Sequence, residues 1–262
     1  MIELENLVKR FGELTAVDHL SLRVERGEFF AVLGPNAAGK TTTIKVLVGL
    51  LRPSSGHARI CGWDVERHPL EARRRLAYVP DFPFLYDKLS PQEFFRFTGQ
   101  LFGMADTLMA ERTAELVARF SLDRCLYEPI ESLSHGTRQR VAIVSALMHA
   151  PEVFVLDEPM VGLDPHHSRV LKDVLKERAL AGMTVFLSTH QLSVAEEMAD
   201  RIGIIHNGRL IAVGTAEELR KMSGTGTALE EAFLILTRED DEEERARRQQ
   251  HQEVRQDAAP GR

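Results

Sequence analysis

Nine residues, Gly34-Pro35-Asn36-Ala37-Ala38-Gly39-Lys40-Thr41-Thr42, follow the apolar run Phe29 to Leu33 and lead into a helical pattern. A strand that runs into such a loop and then into a helix aims backbone N–H groups and the positive helix end at phosphate oxygens. In that setting Lys40 neutralises the β- and γ-phosphates of a nucleotide and the Thr41 hydroxyl ligates Mg²⁺. Further along, the apolar strand Val153 to Leu156 ends on two carboxylates, Asp157 and Glu158, followed by Pro159. Phosphoryl transfer needs charge neutralisation and in-line positioning more than covalent chemistry, and such a pair fits that need. A strand that merely ends in polar residues is the plainer alternative. The next apolar strand ends at Ser188-Thr189-His190, which sets one histidine at a strand's carboxyl end.

The elements that must position these groups can be read from periodicity. Leu20 to Val24 and Phe29 to Leu33 are β-rich runs flanking the turn Glu25-Arg26-Gly27-Glu28. Lys40 to Leu51 reads as a helix stopped by Arg52-Pro53-Ser54-Ser55-Gly56. Ala58 to Cys61 is a strand turning at Gly62, and a helix from Leu70 to Leu76 feeds the strand Ala77-Tyr78-Val79. From Pro91 to Phe120 the apolar residues, Phe94, Phe95, Phe97 and Leu101 among them, take helical spacing and mark a helical insert. The strand at 153, a helix from about Pro165 to Ala181, a strand from Thr184 to Leu187 and a helix from Leu192 to Met198 then alternate. That βαβ order predicts a parallel sheet with ligands at its carboxyl edge. A hairpin of Ile202 to Ile205 with Leu210 to Val213 turns at Asn207-Gly208, the favoured type I′ pair. After Leu236 an acidic run, Glu239 to Glu244, opens a tail that lacks the apolar residues for a core, so 237–262 is expected to be solvated helix or disordered.

Composition sets outer limits. The 262 residues fit one large α/β domain or a domain with a tail, and 44% hydrophobic residues are enough for an ordinary core. A net charge of -6 argues against a nucleic-acid partner, whose binding face would be basic. Cys61 and Cys125 lie in apolar-rich surroundings without a CxxC or histidine pairing, which predicts buried reduced thiols and a cytoplasmic location. No stretch approaches the roughly 18 consecutive apolar residues of a membrane span, and the acidic N-terminus does not read as a signal peptide. A membrane role must therefore come through a partner chain.

One more motif decides what the phosphate loop belongs to. Leu133-Ser134-His135-Gly136-Thr137-Arg138-Gln139-Arg140 is a Ser-x-Gly turn opening a helix near Thr137. Ser134 is placed to cap that helix, and the N–H groups around Gly136 make an anion site. With this octet between the phosphate loop and the carboxylate strand, residues 2–236 resemble the ATP-binding cassette family. All its motifs stand in the family's order.

The resemblance implies an α/β P-loop ATPase fold, with a mainly parallel core sheet, an N-terminal antiparallel β subdomain and an α-helical subdomain inserted at about 84–140. It implies that Asp157 holds Mg²⁺ through its shell, that Glu158 polarises the attacking water, and that His190 bonds the γ-phosphate and orders that water. Leu133, Ser134, His135, Gly136 and Thr137 would close on ATP held by the opposite subunit, and Gly162, Leu163 and Asp164 would form the loop that crosses between subunits. An Asp-Pro helix start is an equally good reading of Asp164, and both can hold together. Phe11 stands where the family stacks an aromatic on adenine, worth roughly 1–3 kcal/mol, although an ordinary edge aromatic fits as well.

Four positions depart from the family. His135 and Thr137 replace a glycine and the glutamine of Leu-Ser-Gly-Gly-Gln. Asp81 stands where the family has the glutamine that contacts Mg²⁺ and senses the transporter. Ala37 replaces a glycine, and if that position needs positive φ the alanine costs about 1–2 kcal/mol.

The expected activity is ATP hydrolysis with Mg²⁺ by a cassette that dimerises around two ATP molecules and drives a separately encoded membrane permease. The strings Leu85 to Ser90 and Leu229 to Leu234 resemble the ABC-2 type exporter branch. A soluble ATP switch without a permease, and a poorly hydrolysing regulatory cassette motivated by Ala37, Asp81 and His135, are the alternatives.

Overall fold

A computed structural model of the chain describes residues 1–222 and 228–242; most of the tail expected to be solvated or disordered, 243–262, lies outside the described residues. The chain opens with two long antiparallel strands, β1 (Ile2–Phe11) and β2 (Leu14–Val24). Of these, only the second half of β2 is read from the sequence. The reason is a break in the alternation: Asn6 takes φ 45, the register slips between Leu4 and Leu7, and the buried residues run Ile2, Leu4, Leu7, Val8. Next, β3 (Phe29–Leu33) enters the phosphate loop and α1 (Lys40–Leu47) leaves it, ending before the expected Leu51 because Gly49 turns the chain at φ 71. With β4 (Ser55–Ile60) and β5 (Trp63–Asp64) the antiparallel sheet is complete in the order β2-β1-β4-β5.

After α2 (Pro69–Arg74) and β6 (Leu76–Val79) comes the helical insert. Its helices α3 (Pro91–Leu101) and α4 (Asp106–Arg119) are separated at Gly103, φ 67, and α3 starts on a reciprocal capping box between Ser90 and Glu93. The chain continues through α5 (His135–Leu147), β7 (Val153–Asp157), α6 (Pro165–Leu180), β8 (Thr184–Thr189), α7 (Leu192–Met198), β9 (Arg201–His206), β10 (Arg209–Gly214) and α8 (Ala216–Met222). Residues 229–242 form a further helix, α9, which runs through the domain edge expected at Leu236. Leu229 and Ala232 join the core, and Asp240 and Asp241 meet Arg209 and His206 at 2.7 and 2.8 Å.

The larger sheet has the order β10-β9-β3-β8-β7-β6 and is parallel except where β10 pairs with β9. Both of its faces are covered, which is why its strands read as continuous apolar runs. Phe154, Leu156, Val185 and Leu187 face one core with α5, α6 and the insert's Phe95 and Phe120. Val153, Val155 and Phe186 face the other, with α1 and the antiparallel sheet's Leu4, Leu20 and Ile60. Each such side chain contributes roughly 1.5–3 kcal/mol by leaving water.

Both cysteines are free and half-buried rather than buried as expected, and burial pushes the Cys61 thiol up to about 11, so it stays protonated. Among the described residues no helix is long and apolar enough to cross a membrane.

His149, in the turn after α5, lies flat on Phe102 with ring centroids 3.8 Å apart, and burial pulls its pKa down to about 4. The unfolded chain takes up a proton near 6.5 that the folded chain refuses until about 4, so stability falls as pH drops through that window, by on the order of 3 kcal/mol. Urea titrations of the wild type and His149→Gln between pH 7 and 4 should show a shallower loss in the variant. Parallel curves would contradict a neutral, buried imidazole.

Candidate nucleotide site

The phosphate loop sits where backbone closes in from two sides. A Cβ on Gly34 would lie 2.3 Å from the Ile205 carbonyl oxygen on β9, and one on Gly39, φ 106, would lie 2.5 Å from that of Ala16 on β2. Only glycine fits either place. The Asn207-Gly208 turn locks the loop from behind, Gly208 donating its N–H to the Ala38 carbonyl at 2.9 Å while its own carbonyl accepts from Asp18 at 2.8 Å. Ala37 takes φ 63, the left-handed conformation in which alanine is strained. Lys40 is buried and donates to the carbonyls of Gly34 at 2.6 Å and Pro35 at 3.0 Å. Burial lowers its pKa, against the opposing pull of Glu158 and Asp157.

A cleft of about 360 Å³ gathers residues that lie far apart in the sequence: Phe11, Asn36 to Thr42, Asp81, Asp157 and Glu158. Every strand that feeds it from the parallel sheet does so at its carboxyl end, the position at which open α/β sheets bind ligands. Phe11 is 47% exposed at the rim, with the Lys9 ammonium 5.0 Å from its ring centroid. Leu14 and Ala16 of β2 also line the cleft. They went unread because no composition signal marks them.

The two carboxylates differ sharply. Asp157 is 1% exposed and its Oδ2 has no hydrogen-bond partner, although its charge is felt by the Lys40 ammonium. Glu158 takes φ 49, a conformation that costs on the order of 1–3 kcal/mol in a non-glycine residue. Its N–H donates to the Ser188 carbonyl at 2.9 Å, its Oε2 accepts from the Thr189 hydroxyl at 3.3 Å, and its Oε1 lies 2.9 Å from His190 Nδ1. His190 thus reaches the site through Glu158. Thr189, which sequence reading passed over beside it, braces the same carboxylate.

The remaining expected site residues gather elsewhere. Ser134 caps α5 and accepts from the Thr137 N–H, while Asp164 caps α6 and accepts from the His167 N–H. The two loops touch: a Cβ on Gly136 would lie 2.4 Å from the Gly162 carbonyl oxygen, and one on Gly162 would lie 2.3 Å from the His135 ring. None of residues 133–137 or 162–164 lines the phosphate cleft.

The profile of the family described as ABC transporter matches residues 17–161, more than half of the chain. The linearmycin resistance ATP-binding protein LnrL of Bacillus subtilis is 35% identical over 245 residues, covering 91% of this chain and 79% of its own length. The chain belongs to the ABC transporter family, as an ATP-binding subunit. The daunorubicin/doxorubicin resistance ATP-binding protein DrrA of Streptomyces peucetius is 38% identical over 86% of this cassette and 68% of its own chain. The cassette spans only 42% of the probable multidrug transporter ATP-binding protein YbhF of Escherichia coli, at 36% identity. Among solved structures, an ATP-binding subunit of an ABC transporter superposes with a TM-score of 0.87 at 34% identity, over 90% of this chain and 99% of its own. A dimeric cassette in a post-hydrolysis state with ADP and Pi superposes at 0.73 and 25% identity, over 82% and 98%. The cassette is an ATPase of that family, with its α/β P-loop fold.

Because Ala37 sits at φ 63, Ala37→Gly should relieve strain and raise stability by about 1 kcal/mol after the added freedom of the unfolded chain is counted. A higher denaturant midpoint at unchanged slope is the expected reading. A lower midpoint would show that the alanine is not strained.

Proposed function

We propose that this ATPase works as a pair of copies that close around two ATP molecules and drive a separately encoded permease, as an exporter of the ABC-2 type. The observation that carries this reading is the division of the site residues. Phosphate loop and carboxylates share one cleft, whereas the Ser-x-Gly turn of residues 133–137, the family's signature turn, and the 162–164 loop touch each other outside it. Each chain therefore offers one ATP half-site and one signature half-site, and a two-fold pair joins them. The relatives' names, linearmycin resistance, daunorubicin resistance and Nod factor export, support export.

Mg²⁺ fits the residues present. Among the described residues no three or more His, Cys, Asp or Glu side chains converge as a ready-made metal cage. Mg²⁺ instead characteristically takes one or two carboxylates together with substrate phosphates. The unpartnered Asp157 oxygen and the Thr41 hydroxyl supply such a set, with Asp81 at the cleft wall in reach of the same space through water. Bound there, the ion neutralises phosphate charge. The chain's own residues do the rest. Lys40 leaves its loop carbonyls for phosphate oxygens, and Phe11 offers its exposed face to the adenine. Glu158, steadied by Thr189 and His190, takes the proton of the water whose oxygen bonds the γ-phosphorus as the bond to the ADP oxygen breaks. His190 is placed to follow the γ-phosphate.

The permease has a natural seat. An apolar groove of about 340 Å³ lies between β6 and the insert, lined by Leu50, Pro83, Phe84, Phe94, Phe102 and the neutral His149 among others, and Phe84 is 95% exposed. An exposed aromatic beside an apolar groove suits contact with a partner protein, which on this reading is the permease. The contact between Glu158 and His190 favours a hydrolysing cassette over a purely regulatory one. On this reading the protein sits on the cytoplasmic face of the membrane through its permease.

Glu158→Gln should bind ATP with near-normal affinity, hydrolyse it at least about 100-fold more slowly, as expected for loss of a general base, and form an ATP-dependent dimer. Fluorescent-nucleotide binding, phosphate release and sedimentation check the three parts. Near-normal steady-state turnover would overturn the role given to Glu158.

A further inference from the structure

The signature turn departs from the family at Thr137, and the structure shows what the threonine does. Its Oγ1 accepts from Arg140 Nη2 at 3.1 Å and lies 2.9 Å from Ser134 Oγ. Arg140 turns its other terminal nitrogen, Nη1, to His167 Nε2 at 3.0 Å and to the Phe120 carbonyl at the end of α4 at 2.6 Å. The opposite ring nitrogen, His167 Nδ1, lies 2.6 Å from Asp164 Oδ2, so the chain of contacts ends on the 162–164 loop. Asp164 is held ionised well below the carboxylate range, at about 2, first by the His167 N–H and then by its ring.

Donor and acceptor rules orient this chain. A guanidinium only donates, so His167 Nε2 must accept, and the ring's single proton sits on Nδ1, donated to Asp164. On the other side, Thr137 gives one lone pair to Arg140, which makes its own hydroxyl a better donor to Ser134. The cooperative arrangement therefore runs outward from Arg140 in both directions. Ser134 Oγ accepts from the Thr137 N–H at 3.3 Å, and in this arrangement it also takes the Thr137 hydroxyl proton, which leaves its own proton to point away from the helix.

We propose that Thr137, Arg140 and His167 are positioning residues that aim the Ser134 hydroxyl at an anion and tie it to Asp164, so that signature turn and 162–164 loop meet a second copy as one unit. The inference rests on the proposed function, in which that anion is the γ-phosphate of ATP bound by the opposite subunit. None of the three lines the cleft for the chain's own ATP. Their loss should therefore weaken closure of the pair and leave first-ATP binding alone.

The test uses the full chain in the Glu158→Gln background, with ATP-dependent dimerisation followed by sedimentation and monomer affinity by fluorescent ATP. Thr137→Val and His167→Ala should each need about tenfold more protein for half-dimerisation, a change of about 1.4 kcal/mol, with monomer affinity for ATP unchanged. Thr137→Ser, which keeps the hydroxyl, and His167→Gln, whose amide oxygen can replace Nε2 as acceptor, should return to within about threefold of the parent. Dimerisation of Thr137→Val and His167→Ala equal to the parent's, or equal loss in all four variants, would overturn the positioning role. A parent that stays monomeric in ATP would instead overturn the two-copy reading beneath it.

Discussion

The structure turns on the confinement of the phosphate loop between two backbone walls. Ile205 carbonyl presses against Gly34 from the parallel sheet, and Ala16 carbonyl presses against Gly39 from the antiparallel one. A loop that is to bind phosphate with N–H groups must present them in a fixed set of directions, and here the two sheets and the Asn207-Gly208 turn impose that set. The two sheets meet at the loop, and both contribute to the cleft beside it: the phosphate loop and the carboxylates leave one sheet, and Phe11 ends a strand of the other. The alanine at position 37 shows the same confinement from its costly side, since the loop holds the left-handed conformation even without glycine.

The carboxyl edge of the parallel sheet then divides labour between neighbours one residue apart. Asp157 is the last residue of β7, sealed from water with one oxygen left without a hydrogen bond, as the proposed Mg²⁺ role requires. Glu158 leaves the strand in a left-handed turn that carries its carboxylate to Thr189 and His190, and suits a proton. The strain at Glu158 and the unsatisfied oxygen of Asp157 are local costs that burial of β7 and β8 on both faces offsets.

Much of this was legible in the sequence because the chemistry sits where strand patterns stop. The runs ending at Leu33, Leu156 and Leu187 are apolar without a break, since each strand is covered on both faces, and the chain leaving the first two lines the cleft. The helix from Leu192 to Met198 and the Asn207-Gly208 hairpin likewise lie where periodicity and turn chemistry put them. Where local signals conflict with tertiary ones, the reading failed. β1 was hidden by the slip at Asn6, whereas the helical insert is there as two helices parted at Gly103, and the helix allowed for the start of the tail is α9, held where Asp240 finds Arg209 on the hairpin. Thr189 and His167 were invisible for another reason: their roles depend on partners distant in sequence, which one sequence does not reveal.

In the proposed pair, each working site takes its phosphate loop from one chain and its signature turn from the other. Mixing Lys40→Ala, which spoils the first, with Ser134→Arg, which spoils the second, tests it directly by ATP turnover. Each variant alone should be inactive, while the mixture forms pairs with one intact composite site and should recover toward about a quarter of the parent rate if pairing is random. A mixture that stays inactive at every ratio, or a Ser134→Arg chain that hydrolyses ATP normally by itself, would contradict the account.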